Sequence, residues 1–256
     1  MSGARKSKSP DVAAYYDKAA AAVPELTVLN YGYSAPERTL VPSDEPEFYC
    51  LRLYEHAVRA VSLRGARVLE VSCGRGGGAR FLARAFGPAA YVGVDLSEEN
   101  LRIARAGGRG THFLLGNAQH LPFRDGAFDI VINIEASHLY DDRTRFFAEA
   151  HRVLAPGGHF CYADGCWASD DCTRDLLDAG FELLERREIT ANVIQALEQD
   201  NGRRAALFDA IPDAALSREY KDWGGVVGYR AYNRFAGGET LYFSHLLRRS
   251  RGQHFV

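Results

Sequence analysis

The sequence has no excess of charge of either sign. Its 31 Lys and Arg residues stand against 33 Asp and Glu residues, which gives a net charge of -2. Such a chain has no global field with which to collect nucleic acid or an anionic membrane, so neither is an expected partner. An uncharged apolar run of the ~20 residues that a membrane span needs is also missing. The N-terminal residues lack the apolar core of a secretory signal, and we therefore expect a cytoplasmic protein.

Cysteine pairs are missing as well. The cysteines number five, which is odd, and none of them forms a Cys-x-x-Cys pair. Neither a disulfide framework nor a zinc site is therefore indicated, and no metal is expected. We expect reduced thiols that pack as small apolar side chains, at Cys50, Cys73, Cys161, Cys166 and Cys172.

What is present is the composition of an ordinary globular protein. Of the 256 residues, 46% are hydrophobic and 25% are charged, which excludes a wholly disordered, collagenous or coiled-coil chain. The length fits one large domain, or one domain with an appendage. We expect a disordered tail over residues 1–10, an N-terminal arm over 11–48 and the main domain over 49–256. Residues 189–238 form a long segment of weak strand character within that domain.

Short apolar runs alternate with helical segments along the main domain. This alternation is typical of parallel strands joined by crossover helices. An amphipathic helix that starts near Tyr49 precedes the first strand, and Ser97 is a candidate N-cap of a later helix. Strands are expected at 66–72, 91–95, 111–115, 128–134, 158–164, 181–188 and 239–247, and further helices at 78–86, 98–106, 142–154 and 170–179.

A glycine-rich loop separates the first strand from the helix that follows it. Cys73-Gly74-Arg75-Gly76-Gly77-Gly78 lets the backbone turn tightly and lets a ligand approach the main chain, and the helix presents free N–H groups. Asp95 lies 21 residues after Gly74, at the end of the second strand, where a carboxylate can accept hydrogen bonds from two ribose hydroxyls. This pattern indicates a nucleotide-like ligand. Dinucleotides and S-adenosylmethionine both bind such loops.

Four ordered motifs resemble those of one family that binds S-adenosylmethionine. Glu70-x-x-x-Gly74-x-Gly76 resembles the first motif of class I S-adenosylmethionine-dependent methyltransferases, and Gly116-Asn117-Ala118 resembles their adenine loop. Leu121-Pro122-Phe123-x-Asp125-x-x-Phe128-Asp129 resembles the entry to their fourth strand. Arg152-Val153-Leu154-x-Pro156-Gly157-Gly158 resembles the turn that leads into their fifth strand. The resemblance covers about residues 49–188.

Further stretches resemble one part of that family. Val68 to Gly74, Glu135-Ala136-Ser137-His138 and Asn30-Tyr31-Gly32-Tyr33 are most similar to small-molecule and lipid O-methyltransferases of secondary metabolism. Within these, the similarity is to enzymes acting on phthiotriolone-type lipids or fatty acids. Two residues depart from the pattern: Asn117 stands where the adenine loop usually has an acid, and Ser34 stands where the aromatic arm motif more often has Trp.

The resemblance implies a fold, a cofactor and a set of contacts. The fold is α/β and Rossmann-like, with a mostly parallel sheet, an antiparallel last strand, helices on both faces, an N-terminal helical arm and a lid over about 189–238. The cofactor is S-adenosylmethionine, which is converted to S-adenosylhomocysteine, and the other partner is a small-molecule substrate; a homodimer stays open. The implied cofactor contacts are Glu70, Ser72, Gly74, Gly76, Asp95, Leu96, Asn117, Ala118, Asn133 and Tyr31.

Two residues after the fourth strand are candidates for the chemistry. His138 lies at the carboxyl edge of the sheet, where open α/β folds bind ligands, and the ordinary pKa of imidazole suits a general base near neutral pH. A neutral histidine that only packs in the pocket is the competing interpretation. Glu135 could orient His138, contact the methionine part of the cofactor or act as the base itself.

The sequence indicates the residues that bind the methyl acceptor less clearly than those that bind the cofactor. An aromatic face attracts a cation and excludes water, so Tyr31, Tyr33 and Trp167 are candidates to surround the sulfonium or the acceptor. His245 in the last strand is a further candidate for the substrate pocket. Apolar residues between 189 and 238 favour an apolar acceptor.

Four functions are compatible with these motifs. The leading hypothesis is a methyltransferase that acts on a hydroxyl or carboxyl group of a lipid-like or polyketide-like natural product. Carbon or nitrogen methylation is the first alternative, and a cofactor-bound cyclase or binding protein on the same fold is the second. An NAD-dependent oxidoreductase is disfavoured by the Pro156-Gly157-Gly158 turn.

Overall fold

The protein is built on one seven-stranded sheet. The computed structural model describes residues 9–108 and 110–250. The sheet has the order β3-β2-β1-β4-β5-β7-β6. Its strands are β1 (Arg67–Val71), β2 (Ala90–Asp95), β3 (His112–Leu115), β4 (Phe128–Ile134), β5 (Leu154–Trp167), β6 (Phe181–Glu188) and β7 (Thr240–Arg249).

The direction of the strands matches the expected fold. Strands β1 to β5 run parallel to one another, whereas β7 runs antiparallel to both of its neighbours, β5 and β6. The strand order reverses between β1 and β4, and the carboxyl ends of strands beside such a switch point form a ligand crevice. The predicted Rossmann-like sheet with an antiparallel last strand is confirmed.

Ten α-helices surround the sheet in the described part of the chain, and a short 3-10 helix (Ser137–Leu139) follows β4. Helices α2, α3, α4 and α7 place apolar residues in one core layer, and α5 and α6 do so in the layer on the opposite face. None of the described helices is long and apolar enough to cross a bilayer. The helices are α1 (Ser9–Ala22), α2 (Phe48–Val58), α3 (Gly77–Phe86), α4 (Glu98–Ala106), α5 (Arg143–Val153), α6 (Thr173–Asp178), α7 (Thr190–Gln199), α8 (Asn201–Asp209), α9 (Ala214–Trp223) and α10 (Arg230–Ala236).

The local sequence explains where the elements beside the candidate site begin and how they are held in place. Ser97 caps α4 as predicted, because its side chain accepts a hydrogen bond from the Asn100 N–H group. Strand β4 is buried on both faces, since Ile130 and Ile132 belong to one core layer and Val131 to the other. The carboxyl end of β4 is therefore fixed from both sides.

The segment 189–238 differs from its predicted local structure. It contains α7, α8, α9 and α10, and not the weak strands that its composition suggested. In α7 the buried apolar residues are Val193, Ala196 and Leu197, which follow a helical spacing. The helical period therefore decides the structure here, although β-branched residues such as Val193 favour strands when taken singly.

The N-terminal arm packs against that segment. Ala19, Val23 and Leu26 share a buried cluster with Phe208 and Tyr220 of α8 and α9. Most of the predicted tail, residues 1–8, lies outside the described residues, and α1 begins at Ser9.

Candidate functional site

The glycine-rich loop opens directly after β1. Gly74 has a φ of 54° and its N–H group donates to Asp95 Oδ2 at 2.8 Å. Ser72 has a φ of 57°, which is uncommon for a residue with a Cβ atom, and its hydroxyl lies 2.6 Å from that of Tyr140. Such backbone conformations concentrate at ligand sites, where the surrounding contacts hold them.

Asp95 links the loop to the following helix. Its carboxylate accepts hydrogen bonds from the N–H groups of Gly74 and of Ser97, the latter at 2.9 Å. Burial raises the pKa of Asp95 above its usual range, and these hydrogen bonds oppose that effect. Two carboxylate oxygens offer about four acceptor positions, so Asp95 can still accept from a ribose diol.

A cleft lies over the carboxyl ends of β1, β2 and β4. We call it the cofactor cleft. Six of the predicted cofactor contacts line it: Ser72, Gly74, Asp95, Leu96, Asn117 and Ala118. Glu135 lines it too, and Val12, Ala13 and Tyr16 of α1 form its cover. The other lining residues are Leu29, Tyr54, Cys73, Val94, Ser97, Asn100, Gly116, Gln119, Ile134, Ala136, Leu139 and Tyr140.

The remaining predicted cofactor contacts support the cleft from outside its lining. Glu70 is buried and accepts hydrogen bonds from the hydroxyls of Tyr54 and Tyr91, each at 2.7 Å. Burial raises the pKa of Glu70 to about 7. Asn133 donates to the carbonyl of Val71 at 2.9 Å and thereby joins the ends of β1 and β4.

Gly76 and Tyr31 also lie outside the lining of the cleft. A Cβ atom at Gly76 would approach Phe113 to 2.7 Å, so a glycine is needed there for the close packing of the loop. Tyr31 lines an adjoining cavity.

The adjoining cavity lies between the carboxyl end of β4, the arm and helices α8 and α9. We call it the inner cavity. It shares four lining residues with the cofactor cleft, Tyr16, Leu29, Glu135 and Leu139, so the two cavities meet at Glu135. The rest of its lining is Leu26, Val28, Asn30, Tyr31, His138, Arg203, Arg204, Leu207, Phe208, Trp223 and Gly224.

His138 is paired with an aspartate at the end of the neighbouring strand. Its imidazole Nδ1 lies 2.7 Å from Asp164 Oδ1, and its backbone N–H group donates to Asp164 Oδ2 at 3.1 Å. Asp164 is 3% exposed, whereas the side chain of His138 is 41% exposed. Burial alone would lower the pKa of His138, but the charge and hydrogen bond of Asp164 outweigh it and raise that pKa. With Nδ1 bonded to the carboxylate, Nε2 is the nitrogen available as a proton acceptor.

Sequence reasoning missed Asp164. The residue ends the predicted strand 158–164, and a signal for it was present, because the carboxyl ends of adjacent parallel strands meet at one edge of the sheet. Ile134 at the end of β4 pairs with Ala163, which brings the residues that follow β4 beside Asp164.

Glu135 lies where the two cavities meet. Its Oε2 accepts hydrogen bonds from the N–H group of Tyr31 and the hydroxyl of Tyr242, each at 3.0 Å. Its φ of 52° is the second positive value outside glycine among the described residues. Burial raises the pKa of Glu135 to about 8.

The raised pKa of Glu135 predicts a pH-dependent stability. The folded chain retains a proton on Glu135 that the unfolded chain loses near the ordinary pKa of glutamate, so the residue lowers stability as pH rises from about 5 to 8. Glu135→Gln keeps an oxygen acceptor and removes this effect. In cofactor-free protein, we expect the difference in melting temperature between Glu135→Gln and wild type to increase in favour of the variant by several degrees as the pH rises from about 5 to 8. The matched control is Glu239→Gln at an exposed site, and an equal response of both variants would contradict the prediction.

Of the four residues predicted around the sulfonium or the acceptor, Tyr31 lines the inner cavity, whereas Tyr33, Trp167 and His245 line neither cavity. Tyr33 is buried and stacks on His56 with ring centroids 4.1 Å apart. Trp167 is at the end of β5, about half exposed, with the guanidinium of Arg234 4.7 Å from its ring. The side chain of His245 lies on the face opposite to Tyr242, because side chains alternate along β7, and it contacts the Thr173 hydroxyl at 3.1 Å.

The cofactor cleft fits S-adenosylmethionine. Asp95 suits the ribose, the amide side chains of Asn117 and Gln119 suit an adenine, and the N–H-rich loop with its positive φ at Gly74 suits close approach of a ligand. Tyr16 and Tyr54 place aromatic rings at the cleft, where a sulfonium would be attracted. This donor set agrees with the cofactor expected from the sequence.

Comparison with known proteins gives the same result. A family model described as a methyltransferase domain matches residues 69–162. The chain is 37% identical to a phthiotriol/phenolphthiotriol dimycocerosates methyltransferase of Mycobacterium leprae over 85% of this chain and 83% of that protein. It is also 37% identical to a fatty-acid O-methyltransferase of Mycolicibacterium smegmatis over 85% and 81% of the two chains.

A solved structure supports the fold. The crystal structure of the [4+2]-cyclase SpnF aligns with a TM-score of 0.73 and 22% identity over 95% of this chain and 97% of that one. The four motifs, the cleft that the first two of them line and the two relatives together establish the family. This chain belongs to the S-adenosylmethionine-dependent methyltransferases of class I.

Proposed function

We propose that this enzyme methylates a hydroxyl or carboxyl group of an apolar small molecule, with His138 as the general base. The observation that carries the proposal is the His138–Asp164 pair, whose imidazole lines the inner cavity next to the cofactor cleft. A hydroxyl acceptor must lose a proton during transfer, and a positioned imidazole can take it.

The reaction places a different demand on each residue. S-adenosylmethionine supplies a methyl group already activated by its sulfonium, so the protein chiefly aligns the acceptor and excludes water. The acceptor O–H donates its proton to His138 Nε2 as the new oxygen–carbon bond forms. Asp164 holds the Nδ1–H and stabilises the imidazolium that results. An acceptor carboxyl that is already ionised needs only the alignment.

The lining of the inner cavity favours an apolar acceptor. Leu29, Leu207, Phe208 and Trp223 contribute apolar side chains from the arm and from helices α8 and α9. These helices belong to the segment 189–238, to which we assign the role of a lid. The two relatives are named for a dimycocerosate lipid and for a fatty acid, which agrees with such an acceptor.

An amine acceptor is a second candidate, and Glu135 favours it. A carboxylate at the junction of the cavities would hold an ammonium group next to the cofactor, and the proximity of that cation would lower the pKa of Glu135. A cofactor-bound cyclase is the third candidate, since the chain shares its fold with a [4+2]-cyclase.

One assay distinguishes these functions. The release of S-adenosylhomocysteine is measured with matched panels of phenols, aliphatic alcohols, fatty acids and amines. We expect turnover with oxygen acceptors that carry an apolar body. Turnover confined to amines would establish the second candidate, and cofactor binding without turnover of any acceptor would favour the third.

The arm supplies a further prediction. Helix α1 covers the cofactor cleft and is fixed by Asp17, which accepts a hydrogen bond from the Ser97 hydroxyl at 2.5 Å. Removal of residues 1–22 should raise the Michaelis constant for the acceptor and lower turnover about tenfold or more, because closure excludes water and completes the pocket. Residues from Val23 onward stay, because Val28 and Tyr33 are part of the main core. Full activity of the truncated chain would contradict this role.

We also propose that the enzyme works in the cytoplasm. All five cysteines are free, and four of them are buried. Reduced thiols of this kind agree with a reducing compartment. Fractionation of the native host should therefore recover the protein with cytoplasmic enzymes.

A further inference from the structure

The inner cavity contains a guanidinium that its protein partners do not fully satisfy. Arg203 of α8 lines this cavity. Asp200 accepts from Arg203 Nε at 2.7 Å and from its Nη2 at 2.5 Å. Within residues 9–108 and 110–250, Arg203 Nη1 has no hydrogen-bond partner. One charged donor is thus left for a ligand.

The neighbouring arginine behaves differently. Arg204 uses Nε for Asp200 at 2.9 Å, Nη1 for the carbonyl of Gly224, and Nη2 for the carbonyls of Asn30 and Tyr31. Its side chain is 7% exposed, against 27% for Arg203. Both arginines line the cavity, but every nitrogen of the Arg204 guanidinium is bonded to the lid or the arm, whereas Arg203 keeps one nitrogen unbonded among the residues that the structure describes.

Positive side chains outnumber negative ones in the ion pairs of Arg203 and Arg204. A single carboxylate, that of Asp200, pairs with the two guanidiniums of Arg203 and Arg204. Glu47 is the next carboxylate, but its oxygens accept from the N–H groups of Thr27 and Val28 and from the Thr27 hydroxyl. It forms no ion pair with Arg203 in the described part of the chain. A ligand anion would balance the remaining positive charge.

The base and the arginine reach the cavity from different elements. His138 follows β4 and pairs with Asp164, whereas Arg203 lies on α8 and pairs with Asp200. Apolar side chains such as Leu207 and Phe208 line the same cavity. A ligand that contacts both His138 and Arg203 would therefore have two polar groups joined by an apolar body.

We infer that Arg203 binds a carboxylate of the acceptor, so that the substrate class is an aliphatic hydroxy acid whose hydroxyl reaches His138. The inference rests on the proposed function, which it deepens by naming a second anchoring group. It makes Arg203 a determinant of specificity. A charge-assisted hydrogen bond from a guanidinium to a carboxylate is among the stronger polar contacts available.

Calorimetry on protein loaded with S-adenosylhomocysteine tests this inference without turnover. The probes are an ω-hydroxy fatty acid and its methyl ester of the same chain length. We expect the acid to bind wild-type protein about 10- to 100-fold more tightly than the ester, and Arg203→Gln to abolish this preference. Arg174→Gln, at an exposed arginine of α6, is the matched control and should keep it.

Two results would overturn the inference: equal affinities of acid and ester in wild-type protein, or a preference for the acid that survives in Arg203→Gln. Arg203→Lys guards against a folding defect, since it keeps the charge beside Asp200. It should weaken binding of the acid and leave that of the ester unchanged.

The failure of the inference can be told apart from failure of the proposed function. If no acceptor yields S-adenosylhomocysteine but the acid still binds through Arg203, only the proposed function fails. If acid and ester are methylated with equal Michaelis constants, only the inference fails.

Discussion

His138→Ala should lower turnover about 10²- to 10⁴-fold, the usual contribution of a positioned general base. The affinity for S-adenosylmethionine should stay within a few-fold of wild type, because His138 lines the inner cavity and not the cofactor cleft. The loss should shrink for more acidic acceptors, since an acceptor that is already ionised needs no base. Initial rates with phenols of graded acidity measure this directly.

The pH profile gives an independent check of the same role. In wild-type protein the rate should fall as pH drops through the raised pKa of His138, because a protonated imidazole cannot accept a proton. Asp164→Asn removes the charge that raises this pKa, so the acidic limb should move to lower pH while the plateau falls. A small and uniform loss across acceptors, with an unshifted limb, would mean that His138 only packs or positions the substrate.

The pairing of His138 with Asp164 illustrates what the sequence could and could not predict. The position of His138 followed from a local pattern, a buried strand and the residues after it. The partner lies 26 residues later, and its contact depends on the parallel register of β4 and β5. That register is set by packing across the whole sheet, which a local pattern does not encode.

The residues that line the cavity proposed for the acceptor were harder to predict for a similar reason. The face to which His245 points is decided by the antiparallel pairing of β7 with β5, in which Tyr162 pairs with His245. A shift of one residue would have turned it to the face of the sheet that carries Tyr242. Arg203 had no local motif at all, because it meets the cavity only once α8 packs against the arm.

The cofactor loop was predictable because its geometry is local. The tight turn at Gly74 and the distance to Asp95 are determined by one strand–loop–helix–strand unit. The helix caps and strand ends of this unit follow from residue types within a few positions of each other. The structure adds that Asp95 accepts from two backbone N–H groups, so the residue supports the loop itself.

Asp95→Ala should weaken the binding of S-adenosylmethionine by about 3 kcal/mol, which is roughly a hundredfold or more. The variant loses the oxygens that would accept from the ribose diol, and it leaves the N–H groups of Gly74 and Ser97 without their acceptor. Asp95→Asn separates the two contributions, because it keeps one side-chain oxygen and the shape of the residue but no charge. Its affinity should lie between those of wild type and Asp95→Ala.

Calorimetry with S-adenosylhomocysteine, together with the melting temperature of cofactor-free protein, is the measurement for these Asp95 variants. If the substitutions mainly damage the loop, the variant that loses more affinity should also show the larger fall in melting temperature. If they mainly remove ribose contacts, the affinity should fall by more than the change in melting temperature accounts for. Asn117→Ala offers a matched comparison at the residue that we predict to contact the adenine, where a neutral amide should contribute less than a charged carboxylate. Unchanged cofactor affinity in Asp95→Ala would show that the ribose is bound elsewhere in the cleft, and Asp95 would then serve only the loop.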